Sequence, residues 1–231
     1  SNYIEGTEFE IDEAKAIDDS GIPMPRRDED SHDILGTFKV LSNRAEMMKT
    51  PTSPKELFAI LSHRHSILLE GRPHMNPGIF KTKNNRAGMT EFVDYQLVKG
   101  TLSQGFKYYA ALTDPFARAI FMMFMISEVH PFNDGNGRIA RVMMNAELVR
   151  ADQSRIIVPT VFREDYILAL RKLTRHKDPL AYINVMTKLH QFSDNLYGTD
   201  FTELKNYLAA CNAYEEPSQA KLQIIDRTII E

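Results

Sequence analysis

The stretch from His130 to Arg141 concentrates the residues of this sequence that are best suited to catalysis. It reads HPFNDGNGRIAR and lies between two segments with helical patterns. His130 comes at the end of the first helical segment, where an imidazole can act as a general base near neutral pH. Asp134 offers a carboxylate, and Mg²⁺ is commonly bound by one carboxylate together with substrate phosphates. The stretch therefore combines a candidate base with a candidate metal ligand.

The second half of the stretch is suited to binding phosphate. Gly135 and Gly137 permit backbone conformations in which successive N–H groups point into one concavity. The helix that follows adds free N–H donors and the positive end of its dipole. Arg138 and Arg141 are on one helix face, so both guanidinium groups can bind the same anion. A polyphosphate site beside a base and a metal ligand predicts group transfer from a nucleotide to a hydroxyl.

Each of these residues has a more common explanation when it is taken alone. A lone histidine at a helix end usually packs or caps, and an aspartate beside glycine usually forms a turn. A Gly-Asn-Gly sequence alone is usually a loop, and arginines alone are usually solvated charges. Only their occurrence together at this spacing favours a site. Phe132 is interpreted as a core anchor that fixes the loop.

A dinucleotide-binding fingerprint is the main structural alternative, because Gly135, Gly137 and Ala140 match G-x-G-x-x-G/A. That motif must follow a β-strand directly, whereas the apolar run before His130 has the length of a helix. The rest of the chain lacks the βαβ alternation that builds a parallel sheet. The sequence also contains no G-x-x-x-x-G-K-[ST] loop. Both of these nucleotide-binding folds are therefore rejected.

The segments around this stretch predict an all-α protein. An apolar segment from Asp114 to about Val129 predicts a helix, and its apolar character on nearly all faces predicts that it is the buried central one. Helical patterns also occur at residues 1–5, 9–19, 53–69, 138–150, 163–174, 179–192 and 200–213. Turn residues on both sides of short apolar pairs predict one β-hairpin at residues 77–93. Residues 21–33, with prolines and mixed charges, predict an exposed connector.

Composition and charge limit the class of protein. The chain has 231 residues, of which 43% are hydrophobic, and this is enough to build a core. A formal net charge of −3 argues against a general nucleic-acid binder, which needs a strongly basic face. The single cysteine, Cys211, excludes a disulfide framework and a cysteine zinc site, and it suits a reducing cytoplasm. The longest apolar run is too short to span a membrane.

The stretch from His130 to Arg141, called the signature segment below, resembles the Fic-family signature H-P-F-x-[DE]-G-N-G-R-x-x-R at every specified position. Fic proteins are helical, and most transfer AMP from ATP to a Ser, Thr or Tyr hydroxyl of a target protein. The resemblance implies that His130 deprotonates this hydroxyl and that Asp134 holds Mg²⁺. The implied ligands of the ATP phosphates are Gly135, Asn136, Gly137, Arg138 and, for the γ-phosphate, Arg141.

Residues 77–88, PGIFKTKNNRAG, resemble the flap of the same family, P-G-x-F-R-T-x-x-N-x-x-G. The flap is a hairpin whose edge backbone pairs with a segment of the target protein, which is recognition by strand addition. The implied target-binding residues are Ile79, Phe80, Lys81 and Thr82. Lys81 stands where arginine is usual, which keeps the charge but loses the forked geometry of the guanidinium.

Ser1, Glu5 and Gly6 resemble the family's inhibitory motif, [S/T]-x-x-x-E-[G/N], in the subgroup with an N-terminal inhibitory helix. In that subgroup the glutamate pairs with the second arginine of the signature, which corresponds to Arg141. A carboxylate and a phosphate cannot share one guanidinium, so this pair blocks productive binding of the γ-phosphate.

These features together predict three segments and one leading function. Residues 1–50 would hold the inhibitory helix at about 1–6 and the connector, 51–195 the Fic catalytic core, and 196–231 a C-terminal helical extension. The expected activity is AMP transfer to a protein hydroxyl, autoinhibited by Glu5. Removal of AMP from a modified protein and a non-enzymatic nucleotide-binding module remain alternatives. The expected partners are ATP and a target protein, without a membrane or a direct nucleic-acid role, and a homodimer is left open.

Overall fold

The structure, a computed structural model, describes residues 11–23 and 28–227. Within these ranges the chain forms ten α-helices and one antiparallel pair of short strands. The helices are α1 (Ile11–Ser20), α2 (Asp28–Ser42), α3 (Arg44–Met47), α4 (Pro54–Leu68), α5 (Val98–Ala111), α6 (Pro115–Val129), α7 (Asn136–Arg150), α8 (Arg163–His176), α9 (Pro179–Asp194) and α10 (Phe201–Ala210). The predicted all-α fold class is confirmed. The predicted inhibitory residues Ser1, Glu5 and Gly6 lie outside the described residues.

The chain divides into two compact units between residues 153 and 154. The first unit holds α1 to α7 and the hairpin, and the second holds α8 to α10. The predicted segment boundaries at 50/51 and 195/196 remain a prediction.

Helices α6 and α7 form the centre of the first unit, where they make the most extensive contact between any two helices. Helix α6 begins where expected, because Pro115 occupies its first turn and Asp114 Oδ1 accepts a hydrogen bond from the Ala117 N–H at 2.7 Å. Helix α7 is the more completely buried of the two, with every residue from Arg138 to Val149 buried. Helix α6 is thus central as expected, but it shares the centre with α7, which was not expected there.

The polar residues of α7 are buried because they are paired inside the unit. Glu147 accepts a hydrogen bond from Tyr109 Oη at 2.6 Å and from Arg118 Nε at 3.2 Å. Arg118 also bonds Tyr109 Oη, which closes a three-residue network. A buried polar group costs little free energy when its hydrogen bonds are made, so α7 can be central without being apolar.

Helix α4 begins and ends close to its predicted bounds, with Ser53 as its N-cap and Pro54 in the first turn. Helix α2 begins at Asp28, so the last six residues of the predicted connector at 21–33 are helical instead. Asp33 and Ser31 of α2 are buried rather than exposed. Helix α5 has no counterpart among the predicted helices.

The hairpin lies within the predicted range, although its strands are short. Strand β1 (Arg86–Ala87) pairs with β2 (Thr90–Glu91), with Arg86 opposite Glu91 and Ala87 opposite Thr90. Gly88 has a φ of 58°, as a tight turn requires. The segment before the hairpin is tied to the signature segment, because the Lys81 N–H donates to the Pro131 carbonyl at 2.8 Å.

In the second unit α8 and α9 pack against each other. Asp178 and Asp200 cap α9 and α10, each accepting a hydrogen bond from a first-turn N–H. The tail after Gln219 packs locally, since the Gln223 N–H donates to the Cys211 carbonyl at 3.1 Å. None of the helices in the described ranges has the length and apolar character to cross a membrane.

Candidate active site

His130 terminates α6 in a strained conformation that orients its ring. Its φ of 50° and ψ of 60° are left-handed, which is uncommon for a residue other than glycine. The ring stacks on Phe92, with centroids 3.6 Å apart and planes 5° apart. Nδ1 lies 3.2 Å from the Ser127 carbonyl oxygen, which can only accept, so Nδ1 carries the proton. Nε2 then has the lone pair that a general base needs.

The loop after His130 is held by Asn136 and Phe132. The Asn136 side chain accepts from the Phe132 N–H at 2.9 Å and donates to the Phe132 carbonyl at 2.9 Å. Phe132 is fully buried, as expected of a core anchor, and stacks on the buried His65 ring at 3.7 Å. Asn136 therefore shapes the loop through its side chain, in addition to the phosphate contact implied by the resemblance.

Gly135 precedes α7 with a φ of 70°, and its N–H donates to Asp134 Oδ1 at 2.7 Å. A Cβ at this position would lie 3.2 Å from Leu69 Cδ1, so the packing also favours glycine. Gly137 lies in the first turn of α7. Because glycine has no side chain to cap a helix, the first N–H groups of α7 can serve an anion.

Arg138 is almost fully buried and lies between two carboxylates. Its Nη1 is 2.6 Å from Asp33 Oδ1 and its Nη2 is 3.7 Å from Asp134 Oδ2. The contact with Asp33 is an ion pair without good angular hydrogen-bond geometry. Burial raises the pKa of Asp33, although the neighbouring arginines oppose this shift. Arg141 lies one turn further along α7 and is also buried.

The structure also places three residues at the site for which the sequence carried no local signal. Asp33 comes from α2, Arg72 follows α4, and His65 lies within α4. Arg72 Nη2 is 2.6 Å from Asp33 Oδ2, and its Nη1 is 3.7 Å from Asp134 Oδ2. A sequence pattern within one segment reveals none of these contacts, since each one joins residues that are distant along the chain.

His65 connects the flap to the loop of the site. The Gly78 N–H donates to His65 Nδ1 at 2.8 Å, so Nε2 carries the proton and donates to the Asp134 carbonyl at 2.9 Å. Burial lowers the pKa of His65 to about 4, which keeps the ring neutral. Each ring nitrogen of His65 therefore has one partner. Through this side chain α4 holds both the flap, at Gly78, and the loop of the site, at Asp134.

The four predicted flap residues differ in exposure. Ile79 and Thr82 are exposed, whereas Phe80 packs against Phe132 with ring centroids 5.2 Å apart. The side chain of Lys81 is buried, and its Nζ donates to Asn85 Oδ1 at 2.7 Å and to the Val129 carbonyl at 3.4 Å. Burial lowers the pKa of Lys81 to about 8, partly offset by Asp94. Its ammonium group therefore faces the protein interior.

Asn85 fastens the flap to the signature segment. Its side-chain amide donates to the Phe132 carbonyl at 2.9 Å and lies 3.5 Å from the His130 carbonyl. Together with Phe92 on His130, this contact sets the flap directly against the candidate base. The structure thus brings the flap and His130 close to the loop that carries the residues expected to bind phosphate.

Asp134 is the candidate ligand for Mg²⁺. Its Oδ1 accepts the Gly135 N–H, and its Oδ2 faces two guanidinium groups at 3.7 Å. The described residues contain no cluster of three or more His, Cys, Asp or Glu side chains able to hold a metal. This arrangement fits a magnesium ion that takes one protein carboxylate and completes its shell with phosphates and water.

Comparison with known proteins identifies the core of the first unit. The family model described as Fic/DOC family matches residues 53–148. The chain is 26% identical over 226 residues to protein adenylyltransferase fic-1 of Caenorhabditis elegans, covering 95% of this chain and 44% of that protein. It is 24% identical over 212 residues to protein adenylyltransferase Fic of Nematostella vectensis, covering 85% of this chain and 47% of that protein. The chain thus spans about half the length of these curated relatives.

Solved structures share the fold. A structure of Fic-1 from C. elegans superposes with a TM-score of 0.69 at 20% identity, covering 91% of this chain and 61% of that chain. A Fic domain containing signaling protein from Bacteroides thetaiotaomicron superposes with a TM-score of 0.69 at 16% identity, covering 82% and 79%. The matched family model includes all of α4 to α6 and the signature segment. On this evidence residues 53–148 of the chain form a Fic/DOC-family domain, and the fold around them is similar to that of solved Fic structures.

Proposed function

We propose that this chain is the catalytic part of a protein adenylyltransferase, a nucleotidyltransferase that moves AMP from ATP to a Ser, Thr or Tyr hydroxyl of a target protein. The observation that carries the proposal is the geometry of His130. The Ser127 carbonyl fixes its tautomer, so that Nε2 is the basic nitrogen, on a residue that ends α6 four positions before Asp134. The similarity to named adenylyltransferases supports the same activity.

In the proposed reaction His130 Nε2 accepts the proton of the target hydroxyl. The hydroxyl oxygen forms a bond to the α-phosphorus of ATP, and the bond from this phosphorus to the bridging oxygen breaks. Diphosphate leaves, and AMP stays on the target. The N–H groups at the start of α7 and the guanidinium groups of Arg138 and Arg141 stabilise the negative charge of the phosphates.

Asp134 would hold Mg²⁺ through the carboxylate oxygen that does not accept the Gly135 N–H. The metal ion supplies neutralisation of the phosphate charge when it is bound. Asn136 holds the loop through its two hydrogen bonds to Phe132. The Asp134 carboxylate, the backbone N–H groups at Gly135 and His130 therefore keep fixed distances from one another.

The flap would dock the target as an added strand. Ile79 and Thr82 are exposed on the flap. Phe80 packs on Phe132 and Lys81 bonds the Val129 carbonyl, and these contacts hold the flap in place. Since Asn85 bonds the carbonyl of Phe132, a segment paired with the flap is held in a fixed register with His130. This arrangement suits recognition of a target through its backbone.

We propose further that Glu5, within the motif of Ser1, Glu5 and Gly6, restrains the activity by pairing with Arg141. Arg141 is buried within α7, and a second anion beside it would compete with the γ-phosphate. The cytoplasmic location, the absence of a direct nucleic-acid role and the open question of a homodimer stay as predicted from the sequence.

The test is AMP transfer from ATP labelled at the α-phosphate, in the presence of Mg²⁺. The proteins are the wild type, Glu5→Gly, and Glu5→Gly/His130→Ala. The matched control is Glu5→Gly with His176→Ala, which removes an exposed histidine at the end of α8. We expect strong labelling of the chain or of a lysate protein by Glu5→Gly and its control, weak labelling by wild type, and none after loss of His130.

Two outcomes would contradict the proposal. Labelling that survives His130→Ala would refute the assignment of the base. No labelling by Glu5→Gly would refute AMP transfer in this direction, and release of AMP from a pre-modified protein would then identify the reverse reaction.

A further inference from the structure

Arg72 lies outside the signature segment but places a guanidinium group beside the residues expected to bind phosphate. It follows α4, and its Nη1 lies 3.7 Å from Asp134 Oδ2, the candidate metal-binding oxygen. Its Nη2 lies 2.6 Å from Asp33 Oδ2. Asp33 of α2 thus holds Nη2 of this guanidinium, while Nη1 lies between the exposed Glu29 at 3.6 Å and Asp134.

Arg138 is held in the same way. Its Nη1 contacts Asp33 Oδ1 at 2.6 Å and its Nη2 faces Asp134 Oδ2 at 3.7 Å. The two oxygens of Asp33 therefore bind one arginine each, and both arginines turn their second amino group toward the same oxygen of Asp134. These four residues, Asp33, Arg72, Arg138 and Asp134, are called the double-arginine cluster below.

Exposure increases across the double-arginine cluster from α2 toward the site. The side chain of Asp33 is 2% exposed and that of Arg138 is 3% exposed. Arg72 is 15% exposed, and Asp134 is 38% exposed. Asp33 therefore holds the arginines from the interior, while Asp134 meets them on the open side. An anion that approaches beside Asp134 meets the more exposed amino groups of both arginines, Nη1 of Arg72 and Nη2 of Arg138.

Both arginines have buried donors without an acceptor among the described residues. These are Nε of Arg72 and Nε of Arg138. Buried donors of this kind are rare in native structures and often mark the place of an ion or ligand. Phosphate oxygens bind guanidinium groups in a charge-assisted manner and would satisfy such donors after a small rotation.

Two further carboxylates lie near Arg72, but they are weak competitors. Glu29 and Asp30 approach its Nη atoms at 3.6 Å, with side chains 58% and 35% exposed. Ion pairs of this exposure contribute little free energy, because water screens them. A phosphate group with more than one charge can displace them from Arg72, whereas the deeply buried Asp33 stays in place.

We infer that Arg72 is a further phosphate-binding residue of this site, and that Asp33 is a positioning residue that aims Arg72 and Arg138 at the polyphosphate. The inference rests on the proposed function, because it takes the polyphosphate to be that of ATP. It adds to the site one residue between α4 and the flap and one residue from α2, neither of which lies in the signature segment.

The experiment compares the affinities for ATP and for adenosine, measured by calorimetry with Mg²⁺ in the Glu5→Gly background. The variants are Arg72→Gln, Arg72→Lys and Asp33→Asn. The matched control is Arg44→Gln, which removes an exposed arginine of the same unit that pairs with Asp152. We expect Arg72→Gln to weaken ATP at least tenfold and adenosine less than twofold, with Arg72→Lys in between.

Asp33→Asn tests the positioning role. We expect it to weaken ATP more than adenosine although it removes a negative charge, because both arginines lose their anchor. A carboxylate that merely competed with phosphate would give the opposite result, a tighter complex with ATP. Thermal unfolding of each variant reports on folding, and Asp33→Glu should restore part of the ATP affinity if Asp33→Asn folds poorly.

Other results would overturn the inference. An ATP affinity of Arg72→Gln within twofold of Arg44→Gln would refute the binding role of Arg72, and a gain in ATP affinity with Asp33→Asn would refute the positioning role. If the Glu5→Gly chain binds ATP but transfers no AMP, the proposed reaction is refuted. The ATP affinities of the Arg72 variants then still show whether Arg72 binds phosphate. If it binds neither ATP nor adenosine, the proposed function and the inference both fail.

Discussion

The buried Lys81 makes the stability of this protein depend on pH in a defined direction. Its ammonium group is bonded only to neutral oxygens, those of Asn85 and Val129, and burial lowers its pKa from 10.5 to about 8. The unfolded chain therefore keeps this proton at pH values where the folded protein has lost it. Since the unfolded state binds more protons between these two pKa values, stability rises with pH in this window.

The size of this effect follows from the two pKa values. Between pH 7 and pH 9 the contribution of Lys81 to the free energy of unfolding rises by about 1.3 kcal/mol. Between pH 7 and pH 10 it rises by about 2.5 kcal/mol. Below pH 7 the contribution is constant, because Lys81 is protonated in both states. Because stability at alkaline pH also depends on the rest of the protein, a variant must isolate the contribution of Lys81.

The assay is urea unfolding at pH 7, 8, 9 and 10 for the wild type, Lys81→Met and Lys81→Arg. Both variants keep the other titrating groups, and neither can lose a proton from residue 81 in this range. Each variant also changes the bonds to Asn85 and Val129, so only the change with pH is interpreted. We expect wild type to gain about 2.5 kcal/mol relative to both variants from pH 7 to pH 10. Parallel curves for all three proteins would refute a buried, charged Lys81.

Three substitutions test the framework of the site by urea unfolding and by AMP labelling in the Glu5→Gly background. His65→Ala should cost about 3–5 kcal/mol, because it removes the stack on Phe132 and leaves two buried backbone groups unpaired; a cost below 1 kcal/mol would contradict the bridge through its two ring nitrogens. Asn136→Ala should cost about 1–3 kcal/mol of unfolding free energy, because the buried Phe132 N–H loses its acceptor. It should also reduce AMP labelling more than an alanine substitution of an exposed residue does. Gly135→Ala should cost about 1–2 kcal/mol because of its positive φ, and an unchanged midpoint would show that this backbone is not constrained.

Those parts of the fold that depend on local signals could be predicted from the sequence. Helix α6 was placed correctly because Asp114 and Pro115 mark its start and an apolar run continues to Val129. Helix α4 followed in the same way from Ser53 and Pro54. A hairpin was predicted at residues 77–93 from the turn residues around Ile79-Phe80 and Phe92-Val93. Its strands lie inside that range but do not include either apolar pair.

The start of helix α2, residues 28–33, was predicted as part of an exposed connector, because prolines and mixed charges close together usually lie in solvent. Asp33 is instead neutralised by Arg72 and Arg138, which are far from it along the sequence. The same reason explains why α7 was not expected to be the central helix. Its polar side chains look exposed until their partners, such as Tyr109 on α5, are known.

The residues of the signature segment could be singled out from the sequence, whereas the residues that hold this segment in place could not. A histidine such as His65 in a helical pattern carries no local mark of its two backbone partners. Lys81 was expected among the residues that face a target, whereas its ammonium group points inward. Both cases depend on tertiary contacts, which a pattern in a single sequence does not contain.

The burial of α7 determines how the phosphate side of the site can move. The helix starts at the nest around Gly135 and is buried from Arg138 to Val149, so its first turn belongs to the same cooperative unit as the core. Amide hydrogens from Ile139 onward should therefore exchange with solvent only when the whole first unit unfolds. If the proposed function holds, the phosphate groups of ATP would meet a preformed surface at this end, and adjustment on binding would fall to exposed flap residues such as Ile79 and Thr82.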